Sequence, residues 1–139
     1  MKYIMRLLPF LTVFLAAKCR DCYPSREPEL KAIFYQDSLE TDISFQKVYG
    51  LGGKNNVQKK NGYYYLPISL HADSVTYIFE SGILTDTVTF YYSRTFAFHS
   101  ERCGYEAKFY EDKIATTFST SSFSFLSDRK YVYEAYIYL

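Results

Sequence analysis

Tryptophan is absent from this chain of 139 residues, and histidine (two), cysteine (three), proline (four) and glycine (six) are scarce. With so little proline and glycine, and with 48% hydrophobic against 22% charged residues, wholesale disorder is excluded. Charge of one sign is missing too: the whole chain carries +1. Without its first 18 residues, which hold Lys2, Arg6 and Lys18 and no acid, it has 13 bases against 15 acids, or −2. A near-neutral surface has no electrostatic footprint for nucleic acid. Long apolar runs are also lacking. The longest, Leu7 to Ala17, has 11 residues, whereas a membrane-spanning helix needs about 20. Helical periodicity is almost absent after Pro28, and the length suits one domain.

Catalytic signatures are missing as well. The chain has no Gly-x-Ser-x-Gly, no His-Glu-x-x-His and no glycine loop of the phosphate-cradling kind. His71 follows a strand-like run, and His99 stands two residues from Glu101, both in settings typical of surface histidines. Asp37, Glu40 and Asp42 cluster around a turn, where they have the oxygens for Ca²⁺ but are expected simply to solvate the turn. The reading is a non-enzyme with no catalytic residue, no metal site and no cofactor.

What is present begins at the N-terminus. Lys2 and Arg6 form a basic flank and LLPFLTVFLAA an apolar stretch, the pattern of a secretory signal. Leu15-Ala16-Ala17-Lys18-Cys19 then resembles a lipobox, in which the cysteine is diacylated and becomes the new N-terminus. Lys18 stands where that pattern has a small residue, so cleavage after a nearby small residue is the competing reading. The expected organisation is a lipoprotein-type signal peptide over 1–18, an anchor or linker over 19–27 and a folded domain over 28–139. Cys19 would tie the protein to the membrane, with the outer membrane of the cell envelope as the expected address. Cys22 and Cys103 then remain in an oxidising compartment and are expected to form a disulfide, with Cys19–Cys103 the competing pair if Cys19 stays unlipidated in the mature chain. Cys19-x-x-Cys22 is only half a zinc site, and no second ligand pair follows.

Aromatic residues make up 20% of the chain, as 16 tyrosines and 12 phenylalanines. Flat rings pack well on a pleated surface and favour strands. Strand-like runs lie at Leu30–Tyr35, Ile43–Tyr49, Tyr63–Leu70, Val75–Phe79, Thr85–Ser93, Gly104–Glu111 and Tyr131–Leu139. Residues 94–100 continue the fifth or pair beside it. Residues 50–62 form a flexible basic connection, and Ser119–Ser127 reads as a loop or irregular edge. Pro67, without an amide hydrogen, implies an edge or a bulge. About seven short strands fit an all-β, two-sheet antiparallel β-sandwich, ahead of a lipocalin-like barrel. Tyr63-Tyr64-Tyr65, Tyr91-Tyr92 and the final tyrosines must place rings on both faces of a sheet. Cross-strand ladders are the first reading of these rings, and a binding face for an envelope protein or a glycan is the second.

Ser100, Cys103, Gly104 and Tyr105, together with Cys19 and Cys22, resemble the pattern of a family of small Bacteroidota lipoproteins of unknown function. Pro28-Glu29-Leu30, the Leu66–Leu70 run and the stretch from Asp86 to Ser93 are similar to that family as well. The resemblance covers the whole chain and implies an envelope address and a β fold. It implies no reaction.

Overall fold

The computed structural model describes residues 28–101, 104–125 and 132–139. Ten strands are described: β1 (Glu29–Gln36), β2 (Leu39–Glu40), β3 (Lys47–Gly50), β4 (Lys59–Lys60), β5 (Tyr63–Pro67), β6 (Ser74–Ser81), β7 (Leu84–Ser100), β8 (Gly104–Thr116), β9 (Thr120–Ser124) and β10 (Val132–Tyr138). They form two packed sheets. The larger has the order β4-β5-β1-β10-β9, with β2 paired to β1, and the smaller has β3-β6-β7-β8. The all-β sandwich is therefore the fold. Among the described residues no helix is long and apolar enough to cross a membrane.

Strand polarity differs from expectation at one place. β1 and β10 run parallel, with Glu29 beside Val132 and Tyr35 beside Tyr138, while the other pairs are antiparallel. The last strand slots between the first and β9, and a strand entering there from the same end as β1 must run with it.

Period-two alternation explains which side of each strand is buried. Leu30, Ala32 and Phe34 of β1, Tyr64 and Leu66 of β5, and Ala135 and Ile137 of β10 face inward. Val48, Tyr77, Phe79, Val88, Phe90 and Tyr92 meet them from the smaller sheet. At one end Phe34, Phe45, Phe79 and Phe118 pack edge to face or tilted, with centroids 5.0 to 6.3 Å apart. At the other end Tyr92, Phe109, Phe125 and Tyr133 do the same, Phe125 and Tyr133 being closest at 4.7 Å. Such ring geometries set the positive edge of one ring against the negative face of the next.

The buried tyrosines need partners for their hydroxyls, and backbone supplies them. Tyr92 Oη donates to the Ser69 carbonyl at 3.0 Å, and Tyr77 Oη to the Pro67 carbonyl at 2.6 Å. Tyr64 Oη accepts the Phe45 amide at 2.9 Å. That last bond explains a departure from the sequence reading. Ile43–Tyr49 has strand-like alternation, but only Lys47–Gly50 joins a ladder. The preceding residues cross from one sheet to the other, burying Ile43 and Phe45 partway while the Phe45 amide turns to a phenol instead of a neighbouring strand.

Ser119–Ser127, expected to be irregular, instead contains β9, a regular edge strand paired with β10 (its last two residues lie outside the described part). Phe123 anchors β9 inward while the outward positions carry small polar residues suited to an edge. Pro67 behaves as its chemistry requires. The Ile68 amide donates to Pro28 at 2.8 Å, so by alternation the position without a hydrogen faces away from β1. There β4, which pairs only Tyr63 and Tyr64, has already ended.

β7 and β8 outrun the rest of the sandwich. β6 accompanies β7 only to Tyr91, and from there the two strands continue as a two-stranded hairpin. A bulge between Tyr91 and Tyr92 places Asp112 as the extra residue of β8 and bends the ribbon at its root. Arg94 secures this point, donating to Asp73 Oδ1 at 2.6 Å and to the Ala72 carbonyl at 2.8 Å.

Removing the Tyr92 hydroxyl should leave the Ser69 carbonyl short of a donor. Tyr92→Phe is expected to destabilise the fold by about 1 kcal/mol with an unchanged m-value in urea unfolding.

Candidate functional site

The outer face of the larger sheet gathers tyrosines. Alternation sends Tyr35 of β1, Tyr63 and Tyr65 of β5, and Tyr136 and Tyr138 of β10 to this side, with Lys31, Ile33 and Glu134 among them. Ile33 is only 6% exposed although it points away from the core, because the surrounding side chains cover it. Tyr35 and Tyr138 stack at 5.2 Å with planes 23° apart, and Tyr136 leans on Tyr35 at 6.2 Å. The Lys31 ammonium lies 3.8 Å from the Tyr63 ring centre and 3.9 Å from Glu134. The rings of Tyr35, Tyr136 and Tyr138 contact one another and that of Tyr63 meets a cation, the arrangement of a cross-strand ladder.

Their hydroxyls are also directed. Tyr136 Oη donates to Glu134 at 2.6 Å, and Tyr63 Oη donates to Glu40 at 2.6 Å. Donation to a carboxylate favours the neutral phenol, and it is the main cause that pushes Tyr136 up to about 12. The bond to Glu40 raises Tyr63 likewise, and Tyr35 is raised by desolvation first and by Glu40 next. Glu134 and Glu40 thus fix the hydroxyls of Tyr136 and Tyr63, and Lys31 lies over the Tyr63 ring.

A cleft of about 370 Å³ opens beside it, where β4 stops and the loop after β3 arches over the free part of β5. Tyr65, Tyr77 and Pro67 form its apolar wall, with Asn55, Gln58 and Lys60 on the polar side. The loop is held by Asn56, whose side-chain oxygen accepts the Val48 amide at 2.7 Å. Reading the sequence alone treats this loop as a flexible connection and leaves the cleft unseen. Its signal is the polar Asn55-Asn56-Val57-Gln58 run facing a tyrosine strand.

The other candidates fall as follows. Glu40 is engaged by Tyr63, and Asp42 by Lys59, which also donates to the Ile43 carbonyl at 2.6 Å. Asp37 sits in the β1–β2 turn with φ of 50°. Among the described residues no group of three metal-ligating side chains occurs. His71 is exposed, and its amide donates to Ser69 Oγ at 3.1 Å. Cys19, Cys22 and Cys103, the segments 1–18 and 19–27, and Tyr131 lie outside the described residues, as does the side chain of His99.

The raised phenols carry a linkage consequence. A tyrosine whose folded pKa exceeds its unfolded value of about 10 contributes stability that is intact below that pH. It is lost as pH rises toward the folded value, about 12 for Tyr136. Stability should therefore fall between those two values, and Glu134→Gln should flatten the loss. Absorbance titration should show the Tyr136 phenol returning toward its ordinary value in that variant.

No curated protein and no solved structure matches the chain. A family model does match, over residues 46–128, a stretch that holds the whole of the smaller sheet together with β4, β5 and β9. The chain belongs to the Family of unknown function (DUF6452).

Proposed function

We propose that this protein is a non-enzymatic envelope lipoprotein, exported by residues 1–18, anchored through Cys19 and serving as an interaction module for another envelope protein. The observation that carries the reading is the ordered tyrosine face of the larger sheet. Tyrosine combines an apolar body with a polar tip and is favoured at the energetic centre of protein contacts. Here stacking and the bonds to Glu134 and Glu40 have already restricted the rings, so less side-chain freedom is lost on binding. A nine-residue linker over 19–27 would hold the start of β1 within about 30 Å of the anchor. Cys22 and Cys103 would be joined by exchange with a disulfide of the envelope, which accepts the two electrons and two protons the thiols give up.

A second reading, recognition of a glycan, is favoured by the cleft lined by Tyr65 with Asn55, Gln58 and Lys60. An aromatic wall facing amide donors and acceptors suits a sugar ring with its hydroxyls.

Isolation of the tagged protein from cross-linked envelopes separates the two. A protein partner retained by Tyr65→Ala and lost at least about tenfold with Tyr35→Ser/Tyr138→Ser supports the first reading. Binding to a glycan array that Tyr65→Ala abolishes, with the other variant unaffected, supports the second. Intact-mass analysis and non-reducing peptide mapping should find a diacylated Cys19 and a Cys22–Cys103 peptide. A mature chain starting elsewhere, or a free thiol at Cys103, would contradict the anchor or the staple respectively.

A further inference from the structure

β8 is the last strand of the smaller sheet, and its second side is met over only part of its length. Near Glu111 the end of β9 reaches it, the Phe125 amide donating to Glu111 Oε2 at 3.0 Å. From Gly104 to Tyr110, among the described residues, no strand pairs with that side. An open strand edge presents unpaired amides and carbonyls, which another strand can take up.

The ladder tells which groups face the opening. The Tyr92 amide donates to the Asp73 carbonyl at 3.0 Å, on the β6 side of β7 and away from β8. Successive residues of a strand turn their backbone groups to opposite sides, so Ser93, Thr95 and Ala97 turn theirs to β8. Their partners Tyr110, Lys108 and Glu106 answer from β8. The amides and carbonyls of Tyr105, Ala107 and Phe109 therefore point outward along the open edge.

This stretch of β8 is its own complement. About a two-fold axis at Ala107, an antiparallel second copy sets Ala107 against Ala107 and Tyr105 against Phe109. Both kinds of pair bring outward-pointing backbone groups together, and each pair exchanges two hydrogen bonds. Between them Glu106 faces Lys108 in both directions, at the positions where side chains of paired strands stand closest. Opposite charges placed so stabilise a strand pair, and like charges oppose it. An axis at Glu106 would set glutamate on glutamate, and one at Lys108 lysine on lysine. Among the described residues Glu106 and Lys108 make no ion pair, which leaves both charges to the second copy. Tyr105, 72% exposed, gains the second copy's Phe109 as a cross-strand neighbour.

We propose that two copies of this chain join edge to edge through β8, antiparallel about a two-fold axis at Ala107, into one continuous sheet. Such an isologous contact closes at two copies, because each open edge is then filled by the other. The contact uses neither the tyrosine face nor the cleft, so its failure and the failure of either reading of function are separate results.

The test is sedimentation equilibrium of the full chain in density-matched detergent, at concentrations up to the solubility limit. The wild-type chain should dimerise. Glu106→Lys and Lys108→Glu each place two like-charged pairs in the dimer and should weaken it about tenfold. Mixing the two variants restores opposite charges at both positions and should recover a dimer made of one copy of each. The double exchange Glu106→Lys/Lys108→Glu in one chain should recover it too. A monomeric wild-type chain, a dimer indifferent to either single change, or no recovery in both the mixture and the double exchange would overturn the proposal.

Discussion

The hydroxyl of a buried tyrosine, tied to backbone carbonyl or amide, is the interaction on which the two sheets depend. Rings fill the space between them, and a phenol that could not find a partner would oppose burial by roughly the cost of a lost hydrogen bond. Tyr92, wholly buried, reaches the Ser69 carbonyl, Tyr77 reaches Pro67, and Tyr64 receives the Phe45 amide. Each bond joins a strand of one sheet to a segment leaving or entering the other. The hydroxyls thus position the crossing segments while the rings supply the apolar area. Burial raises the Tyr92 phenol, so its ionisation is disfavoured in the place where its hydrogen bond is needed.

From that arrangement follows an asymmetry in the molecule. The loop bearing Ser69 and Asp73 is fastened to Tyr92 and Arg94 partway along β7. Beyond that level, among the described residues, β7 pairs with β8 alone. The start of β1 and the free hairpin are brought to the same end by strand pairing alone. On the larger sheet the outer face is arranged differently, with Tyr35 stacked on Tyr138 and carboxylates fixing Tyr63 and Tyr136. One aromatic surface is internally satisfied and presents phenols, while the other is apolar and open. The same residue types serve both because tyrosine can satisfy its polar tip locally wherever an acid or a carbonyl is near.

Much of this was legible in the residues. The ring content, the short alternating runs and the lack of helical period led to an all-β sandwich, and Pro67 pointed to an edge or a bulge; the structure puts it on the part of β5 that runs past β4. Tyr63-Tyr64-Tyr65 necessarily divided between faces. Less legible were elements whose amides find partners out of register with sequence pattern. Ile43 and Phe45 alternate as a strand does, because one side is buried, yet their segment crosses between sheets. Ser119–Ser127 has a composition suited to a loop, yet Phe123 and pairing with β10 make part of it a strand. Local pattern reports burial and says little about which backbone lies alongside.

What the sequence by itself determined was the fold class and the period-two assignment of core and surface. The tertiary structure decided that the first and last strands run side by side and parallel, that Glu134 and Glu40 lock the phenols of the outer face, and that β7 and β8 leave the sandwich together. The physical reason is range. Alternation and turn chemistry act within a few residues and are written along the chain. Strand order and the ladder partners of β1 depend on residues dozens of positions apart, which meet only once loop closure and core packing have been satisfied together.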